Sequence, residues 1–370
     1  MNTDNCADII IIGGGIVGAS IALELSKSDK KVILLEANEI SSQTSKSSSK
    51  MLHGGIRYLE NLDFKLVFEA LREKNHWLKK KPNLAKESAF YLPVYKESKW
   101  PLWAMKFAVF LYNLLSGFKN KKYKSLNRHK FTLLFPMVKN DGLRGAAAYS
   151  DAIIDDEFFT IEIANEARSK GVKIIENSKV SKIEKLNSLY ELSVNGEIFK
   201  SEKIIVAAGP FTDQVAKLYF SNWENIMLPS KGAHLWIKKE SLPVSGNMVL
   251  QTKDNRIIFI IDHKEKVLVG TTETVLDPNE VQFDIEATPT EIQYILDNVN
   301  NYLKNKTLTQ DDILSTFSGI RPLVKEGKNS TKTSREHVII EPDKGFHIIA
   351  GGKYTTCRVM AKQMVKKLRL

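Results

Sequence analysis

Six residues near the amino terminus constrain this chain more than any others. Gly13-Gly14-Gly15-Ile16-Val17-Gly18 carries the G-x-G-x-x-G spacing and follows an apolar run over residues 8–12 without a break. Residues 19–27 have helical apolar spacing, and a second apolar run, 31–35, ends at the acidic Glu36, which completes a strand–turn–helix–strand unit. Each part has a task. Gly13 permits the tight turn, Gly15 lets backbone approach a pyrophosphate, Gly18 lets the helix pack on the strand, and the helix N-terminus offers free N–H groups. Glu36, 18 residues after Gly18, is placed to accept ribose hydroxyls. The unit predicts a bound dinucleotide.

The rest of the chain favours FAD over NAD. No second G-x-G-x-x-G occurs for a nicotinamide cofactor, so the first nucleotide must itself be the redox group. The Ser-rich stretch 41–49 can supply hydroxyls to phosphates or a ring edge. Residues 156–170 read as a helix, 172–176 as a parallel strand, 180–185 as a further stretch and 188–199 as a hairpin. The apolar 204–210 then reads as a strand ending in small residues where backbone passes close to a ligand. A last strand at 345–350 runs into Gly351-Gly352-Lys353-Tyr354-Thr355-Thr356 and a basic helix over 357–370, placing a positive dipole end where negative charge builds on a reduced flavin. Strand-rich stretches at 232–238, 248–252, 256–262 and 266–272, with a helix at 288–304, predict an inserted sheet. The fold class expected is α/β with an α+β substrate domain: a discontinuous Rossmann-like FAD-binding domain (1–90, 145–228, 340–370) carrying a mixed or antiparallel substrate domain (91–144, 229–339).

Two cysteines, Cys6 and Cys357, allow neither a disulfide framework nor a thiolate metal site, so a reducing cytoplasm and no metal are expected. Residues 1–7 carry an acid and no basic run, unlike a secretory signal. The 54 Lys and Arg against 43 Asp and Glu leave +11, which suits phosphorylated substrates or anionic surfaces. No nucleic-acid motif accompanies it, and no nucleic-acid partner is expected.

Several blocks carry a family likeness: Gly13–Gly18; Ser48-Ser49-Lys50-Met51-Leu52-His53-Gly54-Gly55-Ile56-Arg57-Tyr58-Leu59-Glu60; Tyr149-Ser150-Asp151 with Asp155-Asp156; Lys231-Gly232-Ala233-His234; Gly270-Thr271-Thr272; Ser318-Gly319-Ile320-Arg321-Pro322-Leu323; and Gly351–Thr356 with Arg358. On these residues the chain resembles the flavin-dependent glycerol-3-phosphate dehydrogenases of the D-amino-acid-oxidase-like superfamily, from about residue 8 to 358. The family commonly continues into a helical C-terminal domain, which has no counterpart in residues 1–370. It also commonly has a Pro and an aromatic where this sequence has Ile261-Asp262-His263, so substrate preference is expected to vary there.

The resemblance implies oxidation of sn-glycerol 3-phosphate to dihydroxyacetone phosphate, with hydride leaving C2 for flavin N5 and electrons passing to a quinone or another acceptor. It implies that Arg57 and Tyr58 line the substrate pocket and that Arg321, Arg335 and Lys353 hold the phosphate. It places Gly13, Gly15, Gly18, Glu36, Ser45, Ser49, His53, Val180, Ala208, Gly209, Gly351, Gly352, Lys353, Tyr354 and Thr355 at the cofactor. His234 is the expected general base, since an imidazole is matched to neutral pH; His53 competes for that role. Arg57 has a structural rival reading, pairing with Glu60 or Asp63. Arg321 lies before Pro322 in an apolar segment, where a buried guanidinium requires a partner anion, from ligand or protein. A related oxidoreductase acting on a 2-hydroxy acid or amine would need one carboxylate clamp rather than this cluster, and a non-catalytic flavin-fold or binding protein would need none of it.

Residues 100–118 are rich in Trp, Phe and Leu with Lys106 the sole charge, and Lys119, Lys121, Lys122, Lys124, Arg128 and Lys130 follow. Such a segment fits either a buried helix with a basic loop or a helix lying in an anionic membrane surface. The second reading predicts a cytoplasmic protein held peripherally on the inner face of the cytoplasmic membrane.

Overall fold

The computed structural model describes residues 3–305, 307–325, 333–334 and 336–369. The amino-terminal run forms the strand Cys6–Ile12, which pairs in parallel with Val32–Leu35 on one side and Glu197–Val206 on the other. Its four consecutive isoleucines show why an unbroken apolar run makes a central strand: Ile9 and Ile11 enter one core while Ile10 and Ile12 enter the opposite one, and all four are buried. Phe346–Gly351 and Lys173–Ile175 extend the parallel sheet outward, and His337–Asp343 closes one edge antiparallel.

One face of this sheet is covered by the helices Ile16–Leu25, Asp156–Ser169 and Cys357–Lys367. Leu189–Val194 and Glu197–Val206 form the expected hairpin, and Val180–Leu186 adds antiparallel to its outer strand, with Tyr190, Leu192 and Val194 entering the core on the other face.

The second sheet is larger. Its order runs Thr274–Val275, Ser230–Lys238, Lys266–Gly270, Ile257–His263, Asn247–Gln251, Ala85–Tyr95, Leu143–Ile154, Met51–Leu52, with Ile313–Arg321 also paired to Ser230–Lys238. Its membership cuts across the expected boundaries at 90 and 145. Met51–Leu52 and most of Leu143–Ile154, expected within the nucleotide portion, belong to this sheet, and Ala85–Tyr95 straddles residue 90 while pairing antiparallel with Leu143–Ile154 along nearly its whole length. Period-2 patterning is weak there because Ala146, Ala147 and Ala148 are all buried, so that both faces are covered.

One face of the second sheet packs on the helix Pro289–Asn300 and on Phe131 and Phe135. Pro289–Asn300 starts with a capping box between Thr288 and Glu291 and ends before the expected residue 304. Over the opposite face lie the helices Phe64–Lys80 and Leu102–Leu115. The two sheets share a core in which Leu52, Ala85, Ala152 and Ile154 join the helices over the first sheet.

Candidate active site

A cavity of about 530 Å³ is lined by residues from both sheets, and most of the expected site residues meet there. From the first sheet come Gly13, Gly15, Glu36, Val180, Ala208, Gly209, Gly351, Gly352, Lys353, Tyr354 and Thr355; from the second and its approach come Ser45, Ser49, His53, His234 and Arg321. Gly13 sits at φ +111°, and a Cβ there would stand 2.6 Å from the Ala207 carbonyl oxygen, so only glycine lets the turn pass beneath the neighbouring strand. Gly18 is buried on the helix and does not reach the cavity, in keeping with its packing role.

The turn is held by side chains around it. The Gly14 N–H donates to Glu36 Oε2 at 2.5 Å, the Asn38 N–H to Glu36 Oε1 at 2.9 Å, and the Ile16 N–H to Ser45 Oγ at 2.9 Å. Burial pushes the Glu36 carboxyl above its usual range, opposed by the Asn38 and Gly14 N–H groups. Ser41 and Ser42 line the same cavity, and their hydroxyl oxygens are buried with no hydrogen-bond partner. Such orphans point to a polar ligand. With the glycine turn and a helix N-terminus beside them, these hydroxyls fit the phosphates and ribose of a dinucleotide.

Arg321, at the end of Ile313–Arg321, is fixed by Ser230–Lys238 and the turn after Lys266–Gly270. Its Nη2 donates to Thr271 Oγ1 and to the Thr272 carbonyl, each at 2.9 Å, and its Nη1 to the Lys231 carbonyl at 3.3 Å. These contacts fix the orientation of the guanidinium at the cavity wall. The Lys353 ammonium stands 3.8 Å from the centroid of the Tyr58 ring, shielded from solvent. Tyr58 is thereby placed behind Lys353 rather than in the cavity lining.

The two histidines differ. The His234 ring stacks on Phe317 with centroids 4.8 Å apart and planes 9° apart, and its Nε2 meets Ser49 Oγ at 2.9 Å while Nδ1 has no partner. Burial first, then the Arg321 and Lys50 charges, push it down to about 3, so at neutral pH it is an uncharged imidazole that holds a proton poorly. This corrects the expectation that it is a base matched to neutral pH. His53 is half-buried on a turn tied to the far side of the cavity, its N–H donating to Thr355 Oγ1 at 3.2 Å.

Arg57 is another correction. It is exposed, outside the cavity lining, and its Nη2 donates to the Asn255 carbonyl at 3.0 Å, because the 3-10 turn Ile56–Asn61 aims it at the neighbouring loop. Among the described residues its guanidinium pairs with neither Glu60 nor Asp63; Glu60 instead meets Lys99 and Trp100. Arg335 lies outside the described residues. In the divergent segment, Asp262 binds Lys239 at 2.5 Å and His263 sits edge-on to Trp236, away from the cavity lining.

Sequence reasoning did not single out Lys179, Phe211, Gln214, Phe283 or Met360, all of which line the cavity. Phe283 arrives on a loop and meets Phe211 with centroids 4.5 Å apart. No local pattern marks such a residue, since only the chain's return to the cavity gives it a role. Among the described residues, no cluster of His, Cys, Asp or Glu could hold a metal ion.

The turn, the cavity and the cations define a flavin-dependent oxidoreductase. The family profile described as "DAO: FAD dependent oxidoreductase" matches residues 8–366, and the chain belongs to that family. It is 33% identical over 372 residues to the aerobic glycerol-3-phosphate dehydrogenase of Staphylococcus saprophyticus, covering 98% of this chain and 66% of that protein, and 33% identical to the same-named protein of Staphylococcus aureus strain MRSA252. The chain thus spans about two thirds of the length of these relatives. Among solved structures, the glycerol-3-phosphate dehydrogenase of Bacillus halodurans complexed with FAD superposes with a TM-score of 0.78 at 25% identity, over 99% of this chain and 65% of that one. The L-alpha-glycerophosphate oxidase of Mycoplasma pneumoniae with FAD bound shares the fold at a TM-score of 0.73 and 19% identity, over 99% and 95% of the two chains.

Proposed function

We propose that this chain oxidises sn-glycerol 3-phosphate to dihydroxyacetone phosphate and passes the electrons to a quinone or another acceptor. The observation that carries this reading is that Arg321, fixed by Thr271 and Thr272, lines the same cavity as Lys353 and two histidines. The names of the 33%-identical relatives support it. FAD bound beside the Gly13 turn supplies the hydride acceptor.

The chain's own residues do the rest. Arg321 meets phosphate oxygens as a planar fork and Lys353 adds a point charge. Because Thr271 and Thr272 already hold the fork, little side-chain freedom is lost when the phosphate arrives. His53 takes the hydroxyl proton. His234, neutral and stacked on Phe317, offers Nδ1 as a fixed polar contact to substrate or cofactor. A 2-hydroxy acid or an amine carries no phosphate for Arg321 and Lys353 to hold.

The protein works at the inner face of the cytoplasmic membrane as a peripheral enzyme. An exposed aromatic row on Leu102–Leu115, followed by exposed lysines, supports this, and no helix among the described residues is long and apolar enough to cross a bilayer.

Anaerobic addition of sn-glycerol 3-phosphate to the yellow protein should bleach the flavin absorbance, while glycerol and a 2-hydroxy acid should not. Bleaching by the 2-hydroxy acid alone would refute the phosphate assignment. In His53→Asn the rate of flavin reduction should fall with substrate Kd little changed, and an unchanged rate would refute the role of His53.

A further inference from the structure

The block Tyr149-Ser150-Asp151 has no part in the chemistry above, yet Asp151 is the hub of a buried polar network directly behind the cavity. Asp151 is 1% exposed and sits on Leu143–Ile154. Its Oδ1 accepts the Tyr112 hydroxyl at 2.7 Å and the Gly54 N–H at 3.2 Å. The ammonium of the fully buried Lys74 lies 3.6 Å from the same atom and donates to Asn120 Oδ1 at 2.8 Å and the Ser150 carbonyl at 3.0 Å. Three elements therefore converge on one carboxylate oxygen: the helix Phe64–Lys80, the helix Leu102–Leu115 and the turn through Gly54.

That turn is what places the reacting groups. His53 precedes Gly54 and lines the cavity; Tyr58, four residues on, backs Lys353. Gly54 itself has no room to move: a Cβ there would collide with the Tyr112 hydroxyl and with Leu71, so the backbone is pressed against the residues that hold Asp151. A buried charge pair is weak evidence for stability, since apolar residues of the same volume often do as well. Its place directly behind the turn that carries His53 into the cavity points to a positional role.

We propose that Asp151, held by Lys74 and Tyr112, is a positioning residue that fixes the Gly54 N–H and through it sets His53 in the cavity. This rests on the reading of His53 as the proton acceptor, and the experiment separates the two. In Asp151→Asn an oxygen remains for Gly54 and Tyr112, but the charge that holds Lys74 is gone. The double variant Asp151→Asn/Lys74→Met removes both charges, so that no uncompensated ion stays buried.

The holoproteins should retain FAD. Expected for both variants is a fall of about tenfold in the rate of flavin reduction, as a slightly misplaced catalytic group gives, with the substrate Kd within about twofold of wild type and an altered visible spectrum of the oxidised flavin. The double variant should regain thermal stability without regaining the rate. Recovery of stability and rate together, or a spectrum and rate identical to wild type, overturns the proposal by showing the network to be structural only. Should Asp151→Asn fail to fold, Tyr112→Phe removes one of the three bonds and must show the same spectral change with a smaller loss of rate; a wild-type spectrum and rate there also overturn it. If wild type is not bleached by sn-glycerol 3-phosphate, the substrate reading fails, and the spectral comparison still decides the role of Asp151.

Discussion

At the scale of single residues, Arg321 and His234 show how surroundings decide chemistry. Arg321 is fixed by the Thr271 hydroxyl and the Thr272 and Lys231 carbonyls at the cavity wall, so removing it deletes the planar fork that would meet a phosphate. Arg321→Ala should lower kcat/KM for sn-glycerol 3-phosphate by roughly 30- to 150-fold, equivalent to about 2–3 kcal/mol of transition-state stabilisation. Steady-state kinetics giving an unchanged kcat/KM would sink the phosphate role. For His234, burial and two nearby cations hold the native imidazole near a pKa of about 3, well below its unfolded value. Between that value and about 6.5 the unfolded chain binds more protons, so stability rises with pH and is lost as pH falls from about 6.5 towards 3. Urea denaturation of wild type and His234→Gln between pH 4.5 and 6 should show the variant's slope smaller by up to about 1.4 kcal/mol per pH unit. Parallel slopes would mean that the imidazole is not desolvated.

The helix Leu102–Leu115 is the element whose two faces do different things. Inward, Val109 and Tyr112 are buried against the second sheet. Outward, Trp103, Phe107, Phe110 and Leu114 recur at helical spacing with about half or more of their surface exposed, and Phe118 continues the row just beyond the helix. Lys106, Lys119, Lys121, Lys122 and Lys124 are exposed around it. The helix thus packs on the second sheet by one face and exposes an aromatic row on the other, the feature on which the proposed membrane contact rests. Phe107→Ser/Phe110→Ser should reduce co-sedimentation with phosphatidylglycerol vesicles by about tenfold or more, from loss of apolar burial, while flavin content stays the same. Equal binding of wild type to phosphatidylcholine vesicles would argue against charge as part of the attraction.

Over the whole molecule, the cavity lies where two sheets share a core, so its ligand bridges elements that are far apart in sequence. A ligand bound only by the folded state stabilises it by mass action, by about 2.7 kcal/mol at a hundredfold excess over Kd. Adding FAD to stripped protein should therefore raise Tm by about 3–4 °C on that scale in a thermal scan. Identical melting with and without FAD would remove the cavity as the cofactor site.

Much of this was legible in the residues themselves. The glycine turn, the flanking apolar strands and the Glu36 terminus are local: a tight turn, a close approach and a buried strand each demand particular residue types within a few positions of one another. Segments patterned by covalent neighbourhood, including the hairpin into Glu197–Val206 and the final strand and helix, could be read for the same reason. What could not be read is what depends on distant chain. Arg57 and Arg321 look alike in sequence, yet one reaches a surface carbonyl and the other lies in the cavity, because strand pairing carries Arg321 beside Thr271 while a 3-10 turn points Arg57 outward. His234 is an ordinary imidazole until burial and the charges of Arg321 and Lys50 depress it. The motifs thus determined a dinucleotide-binding fold and its cofactor turn, since those follow from local backbone geometry. Which side chains share the cavity, how far the His234 imidazole is depressed, and that Asp151 stands behind His53 were decided by tertiary structure alone, because burial and through-space charge do not exist until the sheets have closed.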